Sequence, residues 1–270
     1  MNLPSVHSFT SVFYTYMGEP YAALLSGMVL GVDVPQSLDI YAYFKRTGLL
    51  HLVVLSGSNI NFLVATCMRV CLVLGTRLSA IVSITVVVLF ILFVGPEPPV
   101  VRAGLMAGST LIAVVFNRQS IALATLLTTA VCIGVIKTDW LATISFQLSF
   151  GASLGIILWS PAATTKKAVQ GNRLLHYIKD DMRTTLAAQV VTTPLIMYYF
   201  REISLIAPLS NLAVSFVTGP IMILGIVTLI LGKLHYWLGY IPAKLAVVCL
   251  YYVCEVTRIM SSLPHVFIKF

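Results

Sequence analysis

Charge is scarce in this 270-residue chain. Only 10% of its residues are Asp, Glu, Lys or Arg, against about a quarter in soluble domains, which excludes an ordinary water-soluble fold. Acids are scarcest: nine, against 17 Lys and Arg, for a net charge of +8. Strict apolar–polar alternation, the mark of a membrane barrel strand, is missing too, since "AIVSITVVVLFILFV" (80–94) is solidly apolar. Lipid admits only helices and closed barrels as spanning structures, so helices remain. No basic stretch with a cleavage site opens the sequence, and a removable signal peptide is not expected. The five cysteines, Cys67, Cys71, Cys132, Cys249 and Cys254, lie in apolar segments, and the one neighbouring carboxylate, Glu255 beside Cys254, makes no ligand cluster with any His. They read as packing thiols rather than metal ligands. No paired carboxylates and no nucleophile–base constellation are visible, so no catalytic residue, metal or cofactor is expected. There is no convincing internal repeat.

What the sequence has in quantity is uncharged length. Runs 78–94, 103–117, 119–136, 141–165, 184–200 and 203–232 contain no Asp, Glu, Lys or Arg. About 20 residues cross the hydrocarbon core, and several runs are slightly short. The expected fold is an all-α integral membrane protein, a polytopic bundle of about seven to nine membrane helices, some discontinuous or re-entrant. Residues 1–19 read as a loosely ordered lead-in, 20–265 as one membrane domain and 266–270 as a tail. Within the domain, 33–47 reads as an interfacial amphipathic helix. Leu38, Tyr41 and Phe44 share a face, and Lys45 and Arg46 sit where cations suit the helix dipole. The polar stretch 161–183 reads as a cytoplasmic loop.

Positive charge sets the orientation. Alternating the helices puts Arg69, Arg77, Arg118, Lys166, Lys167, Arg173, Lys179 and Arg183 on one side, the cytoplasmic one. Arg102, Lys137 and Arg201, each near an acid (Glu97, Asp139, Glu202), fall on the other with Lys45 and Arg46.

The most informative stretch is "GLLHLVVLSGSNINFLVA" (48–65). Seven residues from Leu49 reach about 10 Å, only the middle of a bilayer. There Ser56, Gly57, Ser58 and Asn59, with Asn61 beyond, offer stop and cap residues. A helix break at that depth is tolerated only inside protein or beside a wet cavity, and such breaks hold anionic substrates in transporters. The competing reading is a kink whose polar side chains bond neighbouring helices. Gln147 and Ser149, Gln189 and Thr193, and Asn211 interrupt other apolar runs. Amides on so many segments favour a lined cavity, because intramembrane polar groups are costly.

These stretches resemble one family. "FKRTGLLHLVVLSGSNINFLVA" is similar to the Arg-Thr-Gly, His-Leu, Ser-Gly signature of ComEC competence proteins. "PPVVRAGLMA" (98–107), "DWLATISFQLSFGASLGI" (139–156) and "LAAQVVTTPLIMYYFREISLIAPLSNLAV" (186–214) resemble three further blocks in the same order. The resemblance implies an inner-membrane channel for natural transformation, passing one DNA strand inward while the other is degraded outside. It implies single-stranded DNA as partner, with a separate nuclease, a DNA receptor and a cytoplasmic helicase or motor. Fuller members add an oligonucleotide-binding domain and a metallo-β-lactamase-like nuclease. This sequence carries neither, and is expected to be the channel domain alone or a minimal member. It departs from the family at Asn59, where His is usual, so a titrating role there is in doubt.

Individual roles stay open at this level. His51 suits either a structural hydrogen bond or the DNA entrance. Lys45, Arg46 and Arg102 suit phosphate capture, or, for the first two, interfacial snorkelling. A small-molecule or anion permease is the alternative to a strand channel. In intact cells with native cysteines replaced, an impermeant thiol reagent should label Lys45→Cys and not Lys167→Cys. External labelling of Lys167→Cys would reverse the orientation.

Overall fold

The structure, a computed structural model, describes residues 6–53, 57–159, 173–264 and 267–269. The fold is nearly all-α. Its helices are α1 (Val6–Tyr16), α2 (Tyr21–Leu30), α3 (Asp39–Arg46), α4 (Leu50–Val53), α5 (Gly57–Val70), α6 (Thr76–Val94), α7 (Pro98–Val115), α8 (Ala122–Ile136), α9 (Ile144–Trp159), α10 (Arg173–Phe200), α11 (Ala207–Leu234) and α12 (Tyr236–Ser261). Single 3-10 turns follow α5 and precede α9.

Among the described residues, five helical spans are long and apolar enough to cross a membrane: Gly57–Leu74, Thr76–Val94, Pro98–Val115, Ala207–Leu234 and Tyr236–Ser261. Tyr21–Leu30, Ala122–Ile136 and Ile144–Trp159 are apolar but shorter. Of the expected seven to nine membrane helices, five meet the length and composition of a span among the described residues. Some uncharged runs form short packed helices, and one belongs to α10, whose first half is charged. Large apolar side chains face outward along the long helices, among them Leu89, Leu92, Ile112 and Val248, as a lipid-facing surface requires.

The short helix α2 organises one end of the protein. Its residues from Ala22 to Leu30 are all buried, which fits a helix apolar on every side. It touches α1, α4, α11 and α12. A Cβ at Gly225 of α11 would lie 2.6 Å from Val29, and one at Gly27 would run into the Val53 carbonyl, so two neighbours approach α2 at glycine. Its C-terminus closes at Gly31, in the left-handed region at φ 71°. The Gly31 N–H donates to the Gly27 carbonyl and the Val32 N–H to that of Ser26. The Met28 carbonyl, also in the last turn, accepts from the Asn59 amide nitrogen at 2.8 Å. Asn59 is only 2% exposed. A residue expected to line a polar path is therefore the side-chain cap of a buried helix.

Residues 1–19, expected to be loose, contain α1, whose Phe13 is fully buried in the main core. Helix α3 is amphipathic as expected, but the buried residues are Ile40 and Phe44, facing α12. It ends at Gly48 in the left-handed region, φ 73°. The Leu49 N–H donates to the Phe44 carbonyl at 2.8 Å, and Thr47 Oγ1 to that of Tyr43 at 2.9 Å. A Cβ at Gly48 would lie 2.6 Å from Ala207 Cβ. Arg46-Thr47-Gly48 is thus a tight corner against the start of α11.

A two-stranded antiparallel sheet was not expected. Strand β1 (Glu202–Ser204) pairs with β2 (Phe267–Lys269), Ile203 opposite Ile268, so the C-terminal segment is part of the fold. The sheet sits beside the α3 corner: Ser204 Oγ donates to the Arg46 carbonyl at 2.8 Å.

The remaining helices close a circuit. α5 packs on α7, α7 on α9, α9 on α10, α10 on α11, and α11 on α5. Glycines bring the α9–α10 backbones together, with Gly155 against the Ala187 carbonyl. A smaller core of Ile60, Val87, Val100 and Ala103 joins α5 and α7 to α6.

Because Asn59 satisfies a carbonyl inside apolar protein, Asn59→Leu should destabilise the fold by about 1–3 kcal/mol. Thermal unfolding in detergent should show the loss, with Asn61→Leu unaffected. Equal stability of both variants would remove Asn59 from this role.

Candidate functional site

Helix α5 presents different chemistry on each face. With 100° per residue, Gly57 and Ile60 face α7 and α6, Asn59 faces α2, and Phe62 faces α11. A Cβ at Gly219 of α11 would lie 3.0 Å from the Phe62 ring. Between the α7 and α11 contacts lie Ser58, Asn61 and Ala65, all exposed. Asn61 makes no side-chain hydrogen bond among the described residues, whereas Ser58 Oγ donates to Asn59 Oδ1 at 3.4 Å. This small, polar face lies between the contacts with two other helices of the circuit. Ser56, and with it the expected interruption, lies outside the described residues; the chain is helical through Val53 and again from Gly57.

Arg102 closes the circuit on one side. It is 6% exposed. Its Nε donates to Ser149 Oγ at 2.9 Å and Nη1 to Ser153 Oγ at 2.7 Å, with Met106 Sδ 3.1 Å from Nη1. Nη2 lies beside Gly57, where a Cβ would come within 3.0 Å of it. The sequence placed Arg102 near Glu97, but Glu97 instead has Asp33 as its charged neighbour; burial and that neighbour raise its carboxyl above the ordinary range.

A second polar group lies where α4, α10 and α11 meet. His51 is exposed, with Nδ1 3.2 Å from the Gly48 carbonyl and the Asn211 side chain as hydrogen-bonding neighbour. Asn211 donates to Thr185 Oγ1 at 2.7 Å, and one turn along, Ser215 donates to Asp181 at 3.0 Å. Two turns of α11 thus meet two turns of α10. Thr185, Asp181, Ser215 and Ser153 were not singled out from sequence. The signal for three of them is four-residue spacing from residues that were: Asn211–Ser215, Thr185–Gln189 and Ser149–Ser153 share helix faces, and Asp181 lies one further turn before Thr185.

Other expected site residues lie elsewhere. Lys45 Nζ is 2.8 Å from Glu202 Oε2 and belongs to the sheet corner, with Lys269 as the second cation on Glu202 at 3.8 Å. Arg46 is exposed beside it. These two are not brought to Arg102, so the expected common capture surface divides. Gln147 accepts from the Tyr199 hydroxyl at 2.8 Å, tying α9 to α10. Gln189 and Thr193 are half-buried on α10 and make no side-chain hydrogen bond among the described residues. Among those residues, no three His, Cys, Asp or Glu side chains are grouped to hold a metal ion.

Comparison with known proteins bears on the whole of this arrangement. A family model described as "Competence protein" matches residues 28–270, from the last turn of α2 through the circuit to the sheet. "ComE operon protein 3" of Bacillus subtilis (strain 168) is 26% identical over 183 residues, which cover 67% of this chain and 23% of that protein. The chain thus matches about a quarter of that relative's length. No solved structure matches. With nearly all of its helices inside the matched region, the chain belongs to the ComEC family of competence proteins.

Proposed function

We propose that the helix circuit is the path by which single-stranded DNA crosses the inner membrane into the cytoplasm during natural transformation. The observation that carries the reading is the set of polar side chains that six helices contribute in an otherwise apolar protein. Ser58 and Asn61 stand on one side, Arg102 with Ser149 and Ser153 on another, and His51, Asn211 and Thr185 on a third. Uncharged hydroxyls and amides suit a chain of repeating phosphates and bases. They offer hydrogen bonds without the deep charge well that would arrest a polyanion. Family membership favours a strand as cargo; Arg102 by itself would also serve a small-anion permease.

The sheet corner belongs to an earlier step in this reading. Arg46 and the Lys45–Glu202 pair stand at the Phe200 end of α10. That helix of 28 residues spans about 42 Å, so the charged start of α10 lies at the opposite end. Strand arrival at one end and a helicase or motor at the other fit this polarity, with second-strand degradation assigned to a separate nuclease and duplex capture to a receptor.

The test is DNA uptake in a transformable host, with membrane expression checked in parallel. Asn61→Trp places bulk on the inward face of α5 and should lower uptake at least about tenfold, a cost of roughly 1.4 kcal/mol in the passage barrier. Val73→Trp, on a fully exposed apolar position, should leave it unchanged. Normal uptake by Asn61→Trp would contradict this path.

A further inference from the structure

Arg102 is a buried cation without a counter-ion. All nine Asp and Glu side chains of the protein are among the described residues. Glu202 pairs with Lys45 and Lys269, and Glu255 with Arg258; none pairs with Arg102. Two neutral hydroxyls, Ser149 and Ser153, hold Nε and Nη1 from one helix. Nη2 makes no hydrogen bond among the described residues and is directed at Gly57, next to the exposed Ser58. A structural arginine at membrane depth ordinarily gains a carboxylate or a set of backbone carbonyls. Here two of the guanidinium nitrogens are fixed, and among the described residues the third has no acceptor.

We infer that Arg102 is the binding residue for one phosphate oxyanion, which supplies the missing counter-charge. Ser149 and Ser153 are positioning residues: they hold the guanidinium plane so that Nη2 faces the circuit. Arginine suits this ligand because its planar donors match phosphate oxygens and it stays charged when desolvated. Gly57 allows the approach, since a side chain there would occupy the space beside Nη2. Identifying that oxyanion as a phosphodiester of a passing strand rests on the strand reading above. The same chemistry could come from free phosphate or a lipid headgroup. A single fixed cation, rather than a cluster, would engage successive phosphates one at a time.

The test uses the full chain in nanodiscs of neutral phosphatidylcholine. A fluorescent oligothymidylate and its uncharged methylphosphonate counterpart are titrated into wild type, Arg102→Gln, Arg102→Lys and the Ser149→Ala, Ser153→Ala double variant. The wild-type preference for the phosphodiester should fall about tenfold in Arg102→Gln. It should fall less in Arg102→Lys and in the hydroxyl variant. Thermal unfolding supplies a readout that a purely structural arginine would not give. Inorganic phosphate should raise the unfolding temperature of wild type and not of Arg102→Gln. Without phosphate, Arg102→Gln should be at least as stable as wild type, because an uncompensated charge has been removed. An Arg102→Gln protein that unfolds earlier and keeps the wild-type preference and phosphate response overturns the inference, while wild-type strand binding would leave the strand reading standing. Phosphate stabilisation confined to wild type, with no oligonucleotide bound by either protein, supports the oxyanion site and overturns the strand as its source. An Arg102 effect confined to nanodiscs containing phosphatidylglycerol assigns the site to a headgroup and overturns the strand source as well.

Discussion

In hydrocarbon a polar group must find its partner within the protein, and this constraint explains most of the arrangement. Hydroxyls on the helices largely bond back to their own backbone, as Ser83 does to Ser79 and Thr257 to Val253. The last turn of α2 has its carbonyls met by Gly31, Val32 and the Asn59 side chain. The Arg102 guanidinium is held by two serines. Of the exposed polar residues His51, Ser58 and Asn61, all on packed elements and not in loops, Asn61 alone makes no side-chain hydrogen bond among the described residues. In the proposed path, their exposure supplies the polar lining.

Two structural units divide the work. Helices α1, α4, α11 and α12 surround α2 and, with α3, form the larger core. The circuit of α5, α7, α9, α10 and α11 is thinner, with a small core where α5 and α7 meet α6. The corner at Thr47 and Gly48 joins them, as it carries the chain from α3 to α4 against the start of α11. His51, one turn past this corner, is positioned by the same geometry, with its ring between the Gly48 carbonyl and Asn211.

The helical membrane fold was legible because uncharged runs leave few alternatives. The helix count was not, because hydropathy cannot separate a spanning helix from a short packed one such as α8 or α9. The strands are three residues each and find one another only across the fold, beyond any local pattern. Site residues divide in the same way. Arg102 with Ser149, and His51 with Asn211, were each visible as polar residues in apolar runs, and the structure brings each pair together. Asn59 looked the same in sequence. Only the position of Met28 on another helix makes it a cap, and only the folding of β1 beside α3 gives Lys45 its partner Glu202. Polarity within an apolar run marks a residue as partnered or wet, and the choice between those is tertiary.

The central claim is that a nucleic acid strand, and not merely an anion, passes through the circuit. The direct measurement is passage of a labelled single strand into proteoliposomes containing the purified chain, scored by protection from external nuclease, beside the flux of a small anion. The account predicts protected strand inside the vesicles, with duplex of the same length excluded. Vesicles that pass the small anion freely and protect no strand, even with a driving force supplied, would contradict it.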